Sequence, residues 1–113
     1  MGLARAWSVA LVGVEGHVVE IEADVGKGMP GVHLVGLPDA ALHESKDRVR
    51  AAILNSGRIW PNERIVLALS PATLRKAGSA FDLALACAVL GTSDVIDQGA
   101  LDGTVLLLSL IHI

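Results

Sequence analysis

The stretch GKGMPG, residues 26–31, fits the G-x-G-x-x-G pattern in which a backbone loop cradles the pyrophosphate of a dinucleotide. That chemistry needs a helix directly after the loop, because the helix N-terminus faces the phosphate. Here residues 33–37 predict a short strand instead, and Pro30 lies inside the loop. A Walker A loop is not matched either, since Gly28 stands where serine or threonine would follow the lysine. We therefore expect an ordinary glycine turn and no cofactor-binding residue.

Nucleophilic and metal-binding patterns are weaker still. The sequence has no G-x-S-x-G or S-x-x-K motif, and its one cysteine, Cys87, lies in an apolar segment where a buried thiol is inert. Asp82 has two interpretations: a general base or, more simply, a carboxylate that complements the dipole of the helix it begins. No two histidines have the helical spacing of a zinc site; they are His17, His33, His43 and His112. We expect no catalytic residue and no metal ligand.

Positive charge is concentrated in the middle of the sequence. Residues 43–76 hold seven basic and three acidic side chains, a net charge of +4, whereas the whole chain has a net charge of −3. Two interpretations stay open: a solvated helix face with loop charges, or a docking surface for a phosphate backbone or an acidic protein. The candidate residues for DNA or partner contact are Arg48, Arg50, Arg75 and Lys76.

The composition describes one folded domain rather than a disordered or membrane-spanning chain. With 113 residues, 52% hydrophobic and 19% charged, the chain is long enough to bury one core. The three aromatic residues are too few for a platform that stacks single-stranded bases. A single cysteine excludes an internal disulfide and is typical of a reducing cytoplasm. No apolar segment approaches the ~20 residues of a membrane span, and no signal peptide is recognisable, so we expect a cytoplasmic protein.

The elements that would position these residues follow from hydrophobic periodicity. Residues 17–25 alternate between apolar and acidic side chains, which predicts a strand with one buried face. A helix is predicted from Asp39 to a stop at residues 55–57, and a nearly all-apolar helix over residues 80–90, with Ser79 as its cap. Strands are predicted over residues 5–13, 17–25, 33–37, 64–70 and from Val105 onwards. The order β-β-β-α-β-α-β is that of a layered α+β (or α/β) domain.

Two long stretches resemble a known family. GLPDAALHESKDRVRAAILNSG, residues 36–57, and WPNERIVLALSPATLRKAGSAFDLALACAVL, residues 60–90, closely resemble the magnesium-chelatase-like AAA+ family known as YifB or ComM. The resemblance covers about residues 4–107. It implies an N-terminal domain similar to the C-terminal proteolytic domain of Lon, with a ribosomal-protein-type two-layer β-α fold. In the family this domain precedes an AAA+ module with Walker motifs and a C-terminal chelatase-type domain.

The same resemblance implies a functional context. ComM-type members are hexameric, DNA-stimulated ATPases that drive branch migration during natural transformation. We therefore expect a non-catalytic N-terminal domain that contacts DNA or a partner and supports ring assembly. Its partners would be the rest of its own AAA+ module, DNA and the other subunits of a homo-hexamer. ATP and magnesium are expected only for the full-length family protein, and this chain is not expected to act as an enzyme by itself.

Two alternatives remain. In a Lon-like ATP-dependent protease, residues 76–81 would form the nucleophile loop, but the serine position of that loop falls on Ala80, which has no hydroxyl to attack a carbonyl. The third interpretation is a purely structural module that sets hexamer assembly and has little DNA affinity of its own.

The sequence departs from the family pattern at two places. Thr73 follows Pro-Ala where the family has aspartate, which removes any role of that carboxylate. After residue 107 the family continues with a Gly-Glu-Leu type segment, whereas residues 108–113 here read LSLIHI. We therefore divide the chain into a Lon-like domain, residues 1–107, and an atypical tail, residues 108–113. The tail is interpreted as a truncation, a frame slip or a cloned junction that leaves an apolar, association-prone strand end.

Overall fold

Seven elements form in the computed structural model, which describes residues 2–36, 40–70, 81–93 and 95–108. Predictions for Asp39 and Ser79 as helix caps, for Thr73 and for the tail beyond residue 108 lie outside these ranges. In chain order the elements are β1 (Gly2–Val12), β2 (Glu15–Gly26), β3 (Gly31–Val35), α1 (Ala40–Asn55), β4 (Arg64–Ser70), α2 (Asp82–Gly91) and α3 (Gln98–Leu101).

β1 and β2 form a long antiparallel hairpin, as the sequence predicts. Val12 pairs with Glu15 across a two-residue turn, and Gly13 in that turn has a φ of 62°. This left-handed conformation is favourable for glycine and matches the twist of hairpin strands. The turn therefore fixes the register of the whole hairpin.

The predicted alternation in β2 is confirmed. Its alternate apolar residues from position 19 to position 25 are buried, and the acidic residues between them lie on the other face. There the Arg5 Nε lies 2.8 Å from Glu20 Oε1 and 3.2 Å from Glu22 Oε2 across the hairpin. Such cross-strand pairs stabilise a solvated sheet face modestly. The buried positions are Val19, Ile21, Ala23 and Val25.

The sheet has the order β1-β2-β4-β3. β1–β2 and β2–β4 are antiparallel, whereas β3 and β4 are parallel and are joined by α1 as a crossover helix. α2 packs against β1 and β2, and α1 packs against α2. The core lies between the sheet and the helices, which confirms the predicted α+β class.

Small side chains let α2 lie close to β1. The buried positions of β1 are Ala4, Ala6, Ser8 and Ala10. At Gly91 a Cβ atom would lie only 2.8 Å from the Cβ of Ala4. As predicted, α2 is apolar and largely buried, and it ends at Gly91. Among the helices that the structure describes, none is long and apolar enough to cross a membrane.

The strand predicted from Val105 onwards is wrong within the described residues 105–108. Val105 forms only a single parallel bridge with Trp7, and the Leu106 N–H donates to the Trp7 carbonyl at 2.8 Å. Beyond the bridge the chain turns to α2, because the Leu83 N–H donates to the Leu108 carbonyl at 3.1 Å. The short helix α3 is not predicted either. Its Gln98 side-chain amide accepts from the Arg5 N–H and donates to the Arg5 carbonyl, both at 2.9 Å, so a side chain covers the β1 edge at Arg5.

Candidate functional site

α1 presents a buried face and an exposed basic face. Ser45, Val49 and Ile53 are spaced four residues apart and are buried, as helical geometry places residues i and i+4 on one side. Val49 and Ile53 therefore belong to the face of this helix that packs into the core. Arg48 lies beside Val49 on the edge of that same face, while Arg50 is exposed.

Arg48 and Asp82 form an ion pair in the interior. The Arg48 Nε donates to Asp82 Oδ2 at 2.7 Å, and its Nη2 donates to Asp82 Oδ1 at 3.1 Å. The Asp82 side chain is 0% exposed and that of Arg48 is 16% exposed. The Arg48 Nη2 also donates to Ser45 Oγ at 3.1 Å. The hydrogen bond that Arg48 donates to Asp82 is the main cause that raises the pKa of Arg48, against the opposing effect of burial.

This pair gives both residues roles beyond those predicted. Asp82 lies in the first turn of α2, as expected for a carboxylate that complements the dipole, and it also joins α2 to α1. Arg48, predicted to contact DNA or a partner, has its guanidinium bound to an internal carboxylate. A signal for this pair exists in the sequence: an aspartate in an otherwise apolar, buried helix requires a partner for its charge.

Of the other three predicted contact residues, the structure describes one. Arg50 is on the exposed face of α1, whereas Arg75, Lys76 and Ala80 lie outside the described residues. Arg50 lines a groove together with Lys46 and Trp60, which are not among the residues predicted for the contact.

Arg50 lines a groove between α1, the loop after α1 and the start of β3. The groove has a volume of about 370 Å³. Lys46 and Arg50 lie one helical turn apart on its α1 wall, with Asp47 beside them. Trp60 is half-buried and packs against the core, so one part of the ring supports the fold and another faces the groove. Such a groove can bind an anionic group next to an apolar one. Its remaining lining residues are Pro30, Gly31, Val32, Pro61 and Asn62.

A second groove, of about 550 Å³, lies at the end of the sheet where β1 begins and β2 ends. Its polar side chains include one cation and one carboxylate, Arg58 and Glu63, beside the exposed Ile59. Because these two charges have opposite signs, this groove discriminates less strongly between anionic and cationic ligands.

The glycine loop and the cysteine follow the sequence analysis. Residues 27–30 join β2 to β3, so a strand and not a helix follows GKGMPG. Cys87 is partly buried in α2, and burial raises the pKa of its thiol. Within the described ranges, no three histidine, cysteine or acidic side chains come together in a way that could hold a metal ion.

Comparisons with known proteins agree over nearly the whole chain. The family model for subunit ChlI of Mg-chelatase matches residues 21–110. An uncharacterized protein of Mycobacterium tuberculosis is 60% identical over 107 residues, 95% of this chain. Competence protein ComM of Haemophilus influenzae is 43% identical over 101 residues, 89% of the chain, and the uncharacterized protein YifB of Escherichia coli is 39% identical over 102 residues, 90% of the chain.

The chain spans about a fifth of the length of these curated relatives, between 20% and 21%. The match to the family model covers most of the chain and includes β4, α2 and the α1 face that carries Arg48 and Arg50. The chain therefore belongs to the magnesium-chelatase-like ChlI family, with YifB and ComM as homologues.

Proposed function

We propose that this chain serves as the non-catalytic N-terminal domain of a ComM-type AAA+ ATPase, where it contacts DNA or a partner and supports ring assembly. The observation that carries the proposal is the alignment with ComM, which covers 89% of this chain but only 20% of ComM. A domain of that size beside a much longer chain fits a contact module better than a complete motor. In this proposal ATP and magnesium bind elsewhere in the full-length hexamer, which works on DNA in the cytoplasm during transformation.

The DNA contact is assigned to Lys46 and Arg50 on α1 and, from the sequence alone, to Arg75 and Lys76. Arg50 and Lys46 have no ion-pair partner within 4 Å among the described residues, so their charges are available to phosphates. Arg75 and Lys76 would add two further positive charges to the contact. Lysine and arginine side chains that neutralise phosphates release counterions, which makes the affinity fall steeply with salt.

Arg48 supports the contact indirectly in this proposal. Its bidentate bond to Asp82 fixes α1 against α2 and thereby holds the basic face in one orientation. Arg48 is thus a positioning residue, and it is not itself expected to touch a phosphate.

The test is DNA binding by the full-length protein that carries this domain. Fluorescence anisotropy with a branched DNA would be measured over a range of salt concentrations for the wild type and for R50A/R75A/K76A. We expect weaker binding and a salt slope smaller by about 0.9 for each phosphate that the variant no longer neutralises. The matched control is R58A, an exposed arginine in the other groove. An unchanged affinity and slope in the triple variant would overturn the DNA assignment.

Ring assembly is tested separately by deleting residues 1–107 and measuring the mass of the particle by light scattering. Loss of the hexamer with unchanged affinity of the remaining subunits for DNA would support a purely structural module. A ring that persists after the deletion would remove assembly from the proposed function. Turnover of an unfolded protein by the ATP-loaded full-length enzyme would instead support the Lon-like alternative.

A further inference from the structure

β3 is an edge strand with an open side. In the order β1-β2-β4-β3 it pairs with β4, and no other described strand lies beyond it. The Gly31 N–H donates to the Glu63 carbonyl at 3.4 Å. Because the backbone groups of a parallel strand alternate in direction, Gly31 and His33 face β4, whereas Val32 and Leu34 direct their N–H and C=O groups to the open side.

The opposite edge of the sheet, formed by β1, is partly covered. At β1 the Gln98 amide and the Leu106 N–H occupy backbone groups of Arg5 and Trp7. Among the described residues, no comparable cover lies on β3. An exposed edge with free backbone donors and acceptors is a template for pairing with another extended chain.

The groove of about 370 Å³ adjoins this open edge. Gly31 and Val32 form one of its walls, and α1 forms another. Lys46 and Arg50 are one turn apart on α1, and Asp47 contributes one opposing charge, so the α1 wall has a net charge of +1. Trp60 and Pro61 add an apolar surface. The edge and the groove together offer backbone pairing, an anion site and an apolar site.

We propose that β3 and this groove bind an extended acidic segment of a partner protein by strand addition. The segment would pair its backbone with Val32 and Leu34, place a carboxylate near Lys46 and Arg50, and lay an apolar side chain against Trp60. This inference deepens the partner-contact part of the proposed function, and it rests on that part alone. It assigns the contact to a site and to a chemical class of partner.

Two features favour a peptide over a nucleic acid. Free strand N–H and C=O groups pair with a peptide backbone, whereas a phosphodiester chain offers them no matching row of donors. A single aromatic ring also provides little stacking surface for successive bases.

The experiment is an NMR titration of the ¹⁵N-labelled 113-residue chain with the peptide acetyl-Gly-Val-Glu-Val-Glu-Val-Gly-amide. We expect chemical-shift changes at the amides of Val32 and Leu34 and at the Trp60 indole. A peptide with lysine in place of glutamate should bind about tenfold more weakly or worse, which corresponds to about 1.4 kcal/mol. A glutamate peptide that is N-methylated on alternate residues should bind no more tightly than the lysine peptide. It lacks the N–H groups that would pair with the open edge of β3.

The protein variants separate the two recognition elements. K46E/R50E should lose the preference for the glutamate peptide, while R58E, a charge reversal in the other groove, should keep it. V32P removes the N–H that faces the open side, a substitution that an edge strand tolerates because the ladder with β4 does not use that group. The N-methylated peptide tests the same pairing without any change in the protein.

Each outcome decides the inference. Equal binding of the glutamate and lysine peptides, or undiminished binding of the N-methylated peptide, would overturn it. Displacement of the peptide by oligothymidylate, with binding of the oligonucleotide unaffected by V32P, would assign the groove to nucleic acid instead. If the peptide does not bind but R50A/R75A/K76A weakens binding to branched DNA, this inference fails while the proposed function stands.

Discussion

The Arg48 guanidinium and the Asp82 carboxylate are joined by two hydrogen bonds, of 2.7 Å and 3.1 Å, at the first turn of α2. The contact spans 34 positions of sequence and links the two long helices. Planar arginine matches a carboxylate in this bidentate geometry, which lysine cannot reproduce. The relative orientation of α1 and α2 therefore depends on a polar contact as well as on the apolar core.

Removing one member of this pair should destabilise the fold strongly. Arg48→Met takes the guanidinium away from a fully buried carboxylate, which we expect to lower the free energy of unfolding by about 3–5 kcal/mol. Replacing both residues, Arg48→Met with Asp82→Leu, should lower it by much less than the sum of the two single changes. Urea unfolding followed by circular dichroism measures all three. Arg50→Met, on the exposed face, is the control and should change it by under about 0.5 kcal/mol. Simple additivity would mean that the pair contributes no coupling.

Gly91→Ala tests the close approach of α2 to β1. The added Cβ would lie 2.8 Å from the Ala4 Cβ, and neither atom belongs to a flexible side chain. Although alanine favours a helix by about 1 kcal/mol over glycine, we expect a net loss of about 1–3 kcal/mol from the overpacking. Thermal unfolding measures it. Gly26→Ala, with no atom within 4 Å of the new Cβ, is the matched control, and combining Gly91→Ala with Ala4→Gly should recover part of the loss.

Ser8→Ala should stabilise the protein. Ser8 is fully buried on the inner face of β1, and its Oγ has no hydrogen-bond partner among the described residues. Alanine removes a desolvated hydroxyl, for which we expect a gain of about 1 kcal/mol in the free energy of unfolding. The control is Ser56→Ala, whose Oγ donates to the Ile53 carbonyl at 2.8 Å and whose removal should be neutral or destabilising. A loss of stability in Ser8→Ala would contradict the unpaired assignment.

Cys87 should make stability depend on pH in the alkaline range. Burial raises the pKa of its thiol above the ordinary value of 9.0, so the folded state binds the proton more tightly than the unfolded state. This stability is fully present below about pH 9 and is lost as the pH rises through the higher folded pKa. Urea unfolding at about pH 8 and about pH 10 should show a larger drop for the wild type than for Cys87→Ala. Equal drops would mean that the thiol does not contribute.

The sequence predicts those parts of the fold in which the pattern of apolar residues is regular. The alternation from Val19 to Val25 predicts which face of β2 is buried, and the apolar run of α2 predicts its burial, because both follow from side-chain direction alone. The groove beside β3 has no such signature. Its walls come from α1, the loop at Trp60 and the strand start at Gly31, which only the crossover brings together.

The placement of Arg48 and Arg50 shows a second reason why the sequence does not predict the geometry of the site. Counting charges places Arg48 and Arg50 in one basic cluster, yet two positions along a helix separate them by about 200°, onto different faces. The strand predicted from Val105 fails for a third reason: after its bridge to Trp7, the Leu108 carbonyl accepts from the Leu83 N–H of α2, so the chain leaves the sheet edge. Hydrophobic pattern contains no information about such a long-range backbone contact.

The cover on the β1 edge also has a consequence for synthesis on the ribosome. β1 emerges before the other described strands, but Gln98 and Leu106, which occupy its edge, follow more than 90 residues after Arg5. At about 5–20 residues per second the edge stays open for several seconds in each nascent chain. Neighbouring chains on one polysome could pair through it during that interval, so translation speed across residues 13–97 would set how often newly made molecules become entangled.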